Sequence, residues 1–359
     1  MHPFIDSVLK KIDDLRHSPT QASSWVPIPL THIDDPSKMP PKLMRDEHYF
    51  EVWVNEMYLA YEREWFKTFN PMVVAVTEFS YAGKDLGLPY VVGPNLISSG
   101  IAQPEGMLFS NTRIAGPRPY KGDQLTVALV LCKLQVDDLL RKLVDALGSF
   151  AGLLNLTAGL GAALQITDSV LDMIDALTSA DGKATPVLGV RSQFSPVIPG
   201  YYALIDQPGV TAEQLWIKNK RLYFGATRDT AVEFRQADFI LFSLCEASTE
   251  EIDVSRLPFY STYQAMLLEA NQSSKKEIWA NTKANLAALL GMLDTSPDLT
   301  SSHASRLGDQ WIETVTVLHK RAERVAHLGP GEEAKAGAIE EESSPLEHVR
   351  DKALSVLDL

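Results

Sequence analysis

Apolar residues recur along this chain with two different periods, and the changes of period divide it. Near the start, Phe4, Ile5, Val8, Leu9, Ile12 and Leu15 return every three or four residues, one face of a short helix. Between Ser18 and Leu43 six prolines (Pro19, Pro27, Pro29, Pro36, Pro40, Pro41) forbid a helix and predict an extended strap on the surface. Helical spacing returns over Arg45–Thr68. There Phe50, Val54, Met57, Tyr61 and Trp65 share a face, Tyr49 and Trp53 lie beside them, and Glu51, Asn55 and Glu62 fall elsewhere. The reading is a long helix with an aromatic, core-facing stripe, ended by Asn70-Pro71.

Strand patterns follow. Met72–Tyr81 begins as a continuous apolar run and ends in alternation; Leu88–Val92, Met107–Phe109 and Arg113–Ala115 are shorter strand signals between glycines and prolines. Leu125–Leu134 is apolar on both faces, the pattern of a central strand covered from both sides. After a helical interruption, strands are predicted at Val187–Phe194 and Tyr201–Ile205. Another pair, Gln214–Ile217 and Leu222–Phe224, flanks Lys218-Asn219-Lys220-Arg221 as a hairpin. Ala237–Leu244 is a second run apolar on both faces.

The interruption is the most distinctive segment. Ala146–Thr167 carries no charged side chain, yet it holds Gly148, Gly152, Gly159 and Gly161 and the polar Ser149, Asn155, Thr157, Gln165 and Thr167. Leu139, Leu140, Leu143, Val144, Leu147, Phe150, Ala151 and Leu154 form one helical stripe; Leu160, Leu164, Thr167, Leu171, Ile174 and Leu177 form another. A helical hairpin of Asp137–Leu154 and Ala158–Leu177 is the preferred reading, with a single kinked helix as the alternative. Strand signals on both sides make it an insertion between two strands of one sheet system.

The remainder reads as helical: Tyr260–Asn271, then a helix opened by the capping pattern Ser274-x-x-Glu277, then one opened by Ser296-Pro297 and stopped by Gly329-Pro330. Gly331–Ser344 is acidic and poor in large apolar groups, a flexible tether, and Pro345–Leu359 has the pattern of a short terminal helix.

Composition then narrows the function classes. A net charge of −13 argues against nucleic-acid binding and against docking on an anionic membrane by charge alone. Two cysteines, Cys132 and Cys245, both in apolar strand patterns, predict buried thiols and a reducing, cytoplasmic compartment; no signal peptide is evident. Motifs that would name a reaction are missing. The eight histidines (His2, His17, His32, His48, His303, His319, His327, His348) form no metal-binding pattern. His48 with Glu47 and Glu51 is the best local cluster, and a solvated helix start accounts for it. No G-x-S-x-G elbow or Walker loop occurs, and Gly159-Leu160-Gly161 is a weak dinucleotide match. His319, Lys320, Arg321 and Arg324 fit a helix C-terminus, and Lys218, Lys220 and Arg221 a solvated turn.

The expected architecture is α+β. A β-rich, sandwich-like central body carries an inserted apolar helical hairpin, an N-terminal aromatic helix and a C-terminal helical region. Its parts are residues 1–43 (helix and Pro-rich strap), 44–255 (body, with the hairpin at 137–178), 256–329 (helices) and 330–359 (acidic tail). The expected function is a soluble, non-enzymatic interaction or assembly module without metal or cofactor. Its contact surface is Leu147, Phe150, Leu153, Leu154 and Leu160, covered by the chain's own sheet, another protein or a second copy. Hairpin insertion into a membrane and an enzyme site assembled from dispersed residues are the alternatives. Against insertion, Asp168, Asp172 and Asp175 follow the run, and two spans need about twice its length.

Overall fold

The structure is a computed structural model that describes Lys10 and residues 12–14, 24–60, 63–64, 67–93, 107–135 and 184–327. The described chain is mixed sheet and helix, and every paired strand in it is antiparallel to its neighbours. Two compact units meet in sequence after Ala247.

The first unit holds three sheets. One orders its strands β1 (Ser24–Ile28), β9 (Gly200–Ile205), β13 (Phe239–Ala247), β2 (Tyr49–Tyr58) and β6 (Met107–Pro119). A second runs β3 (Arg63–Glu64), β4 (Lys67–Tyr81), β7 (Leu125–Gln135) and β8 (Ala184–Phe194), with β5 (Lys84–Val92) on the other side of β4. The third is small: β10 (Leu215–Lys218), β11 (Arg221–Phe224) and β12 (Val232–Glu233). The two large sheets touch through aromatic pairs: Phe50 of β2 meets Phe79 of β4 edge-on at 5.3 Å, and Tyr202 of β9 meets Phe194 of β8 at 5.0 Å. The small sheet packs on the opposite face of the first, where Leu215, Ile217, Leu222 and Phe234 share a core with Tyr201, Ala203, Ile205, Phe239 and Leu241.

As the apolar runs imply, β7 and β13 are central strands, and the hairpin at Lys218–Arg221 forms. Asn219 and Lys220 both take positive φ (51° and 61°), the backbone that a two-residue hairpin turn requires.

In the first unit three expectations fail. No helix spans Arg45–Thr68; Tyr49–Tyr58 is a strand between β13 and β6. Val52 and Val54 alternate with Glu51 and Trp53, and β-branched and aromatic side chains favour the pleated backbone. The strand is covered on both faces, so strict alternation is lost and residues three and four apart mimic a helical stripe. Nor is the Pro-rich segment a surface strap throughout. Its described part includes β1 and buries Val26, Ile28, Ile33, Met39 and Leu43; Pro27 is tolerated because β1 is an edge strand, and Pro29 lies just beyond it. Met107–Phe109 and Arg113–Ala115 belong to one strand, β6.

At the N-terminus Lys10 and residues 12–14 are helical, with Ile12 buried and Lys10, Asp13 and Asp14 exposed, which fits the expected apolar face. Most of that helix, the hairpin at 137–178 and the tail beyond 327 lie outside the described residues.

The second unit contains α1 (Tyr260–Asn271), α2 (Lys276–Asp294) and α3 (Ser301–His327). Each buries one stripe: Tyr263, Met266 and Ala270 on α1, Leu286, Leu289 and Leu293 on α2, Leu307, Trp311, Val315 and Leu318 on α3. Tyr263 stacks on Trp311 at 4.1 Å. Gly308 lets α3 approach Leu290 so closely that an added Cβ would lie 3.1 Å from its methyl. The helix starts differ from expectation. No side chain caps α2, whose N-cap is Lys275, and α3 begins at Ser301, where Thr300 Oγ1 accepts the His303 N–H.

Candidate functional site

The sheet topology locates the inserted segment. β7 ends at Gln135, β8 starts at Ala184, and the two strands pair directly, Leu134 opposite Ala184. Opposed residues of antiparallel strands lie about 5 Å apart. Both ends of residues 136–183 therefore leave the sheet from neighbouring points. Around this root Leu131, Cys132, Leu134, Ala184 and Leu188 are buried. A register shift falls between Leu131 and Cys132, opposite Pro186, which supplies no ladder donor and sits on an edge strand. The expected contact residues Leu147, Phe150, Leu153, Leu154 and Leu160 all lie outside the described residues.

Both faces of the β4–β7 pair are buried. Ala75, Thr77 and Leu129 point to the side of Phe79, and Val74, Val76, Ala128 and Val130 to the other. Thr77 Oγ1 sits between apolar neighbours with no hydrogen-bond partner.

Two carboxylates that helical reading concealed are buried on β2. Glu56, 0% exposed, accepts the Leu222 N–H at Oε2 (2.8 Å), while Oε1 lies 3.3 Å from Arg235 Nη1 and 3.6 Å from Arg221 Nε. Both arginines also pair with Glu233, at 2.7 and 2.8 Å. Burial raises the Glu56 carboxyl above its ordinary range, against the opposing pull of the Leu222 amide, Arg235 and Arg221. The cluster fastens the small sheet to the large one. Glu51 pairs with Arg113 and accepts the Trp53 Nε1–H at 3.0 Å, while Arg113 and Lys220 lie 5.6 and 5.8 Å from the centre of the Trp53 ring. Of the hairpin-tip cations, Lys220 is exposed, as a turn residue is expected to be, while Lys218 and Arg221 are half-buried. Arg221 is bound to carboxylates, Lys220 lies over Trp53, and Lys218 reaches Ala231 O and the Tyr223 ring.

His48 is not part of a ligand set. It precedes a strand, accepts the Met44 N–H at Nδ1 and faces Glu246 at 3.7 Å, while Glu51 turns to Arg113. Cys132 and Cys245 are both buried, and burial pushes the Cys245 thiol above its ordinary range.

In the helical unit, Ser273, His319 and Glu323 superficially match a nucleophile, base and acid. Ser273 Oγ lies 2.8 Å from His319 Nδ1, and His319 Nε2 lies 3.4 Å from Glu323. The serine hydrogen, however, is donated to Ala270 O at 2.6 Å, so Oγ accepts from Nδ1–H. Ser273 is completely buried, and the His319 ring lies flat on Trp279 at 3.7 Å. Through Ser273 and Trp279, His319 ties the α1–α2 turn and α2 to α3. His319 is therefore a packing residue, a role that its expected place in a basic helix C-terminus did not reveal.

Among the described residues no group of three or more His, Cys, Asp or Glu could hold a metal, and no helix is long and apolar enough to cross a membrane. No protein-family model, curated protein or solved structure matches this chain.

Proposed function

We propose that this protein is a non-enzymatic interaction or assembly module. A sandwich-like body presents an apolar helical hairpin, residues 137–178, whose Leu147, Phe150, Leu153, Leu154 and Leu160 form the contact surface for another protein or a second copy. The observation that carries this reading is the direct pairing of Leu134 with Ala184. A segment that joins two directly paired strands and holds the charge-free stretch Ala146–Thr167 is an appendage to a sheet whose strands pair without it. The described polar clusters support the reading too, because Glu56, Glu51 and Ser273 are engaged by their own neighbours. The cytoplasm is the proposed compartment, because two cysteines, both buried in strands, are too few for a disulfide framework.

The test is to replace residues 135–183 with Asn-Gly, which joins the paired Leu134 and Ala184 through a two-residue hairpin turn. The shortened protein is expected to keep cooperative melting and the body's far-ultraviolet signature. It is also expected to lose self-association in sedimentation, or the partners that co-purify with the full chain. A folded variant with unchanged association overturns the proposal. Vesicle binding by the full chain, absent from the shortened one, would assign the segment to membranes instead.

A further inference from the structure

We draw no further inference here: the strongest candidate, the exposed apolar side chains of the helical unit, Leu268 on α1 and Met292 on α2, carries nothing because the structure does not show what covers them.

Discussion

Glu56 offers the sharpest test of the energetics. Changing it to alanine removes the acceptor of the buried Leu222 N–H and the carboxylate between Arg221 and Arg235. An orphaned buried donor costs about 1–3 kcal/mol, and breaking a buried ion pair about 3–5 kcal/mol. The arginines keep Glu233 and are 24% exposed, which places the total near the lower end, about 3 kcal/mol. At roughly 2–4 °C per kcal/mol for a unit of this size, Glu56→Ala should lower Tm by about 6–12 °C. Glu56→Gln is different. Its amide oxygen still accepts from Leu222, and the charge it removes is one that burial already disfavours. The expected loss is about 1 kcal/mol. The pH dependence follows from the same raised carboxyl. In the folded state Glu56 takes up its proton at higher pH than in the unfolded chain. Its contribution is therefore greatest below the ordinary carboxylate range and is lost as pH rises through the folded value; Glu56→Gln abolishes that slope. Calorimetry of the three proteins and hydrogen exchange at the Leu222 amide would measure this. Equal losses for both variants, or none for alanine, would refute the assignment of Glu56 as the anchor of the small sheet.

Thr77→Val keeps the shape of the side chain and removes a buried hydroxyl without a partner, so urea melts should show a gain of about 1 kcal/mol; a loss would mean the hydroxyl is satisfied in solution. His303 is held neutral by burial and by Arg306, down to about pH 4 against an ordinary 6.5. Its contribution is complete above pH 6.5 and falls toward pH 4 by at most about 3 kcal/mol, because only the unfolded chain takes up the proton in that window. His303→Gln should flatten the acid limb of the stability curve, and an unaltered limb would exclude His303 as its source. Leu153→Asp should impair folding or association; unchanged melting together with unchanged partner binding would contradict the contact-surface proposal.

Legibility of the fold followed the reach of each interaction. Leu125–Leu134 could be read because a strand covered on both faces writes a continuous apolar run in one stretch of sequence. The Lys218–Arg221 hairpin and the helix at Tyr260–Asn271 are equally local. β2 could not be read the same way: the signal was the alternation of Val52 and Val54 with Glu51 and Trp53, overridden by the spacing of Phe50, Val54 and Met57. Glu56 was missed because its partners, Leu222 and Arg235, lie 166 and 179 positions away. At the start of α3, Ser296, Asp298 and Thr300 are all competent caps, and only packing selects Thr300. The Ser273–His319 bond joins the α1–α2 turn to α3 across 46 positions, a register that no single helix encodes.

The position of β2 has a consequence for synthesis. Its neighbour β13 is the last strand of the first unit, so a ribosome must add roughly 180 residues after Tyr58 before Phe239 exists. At about 5–20 residues per second that delay is on the order of ten seconds or longer. During it, one side of a largely apolar ribbon stays open to foreign strands. Nascent chains stalled short of Ala247 are the forms most exposed to aggregation, and the ones for which chaperone capture matters most.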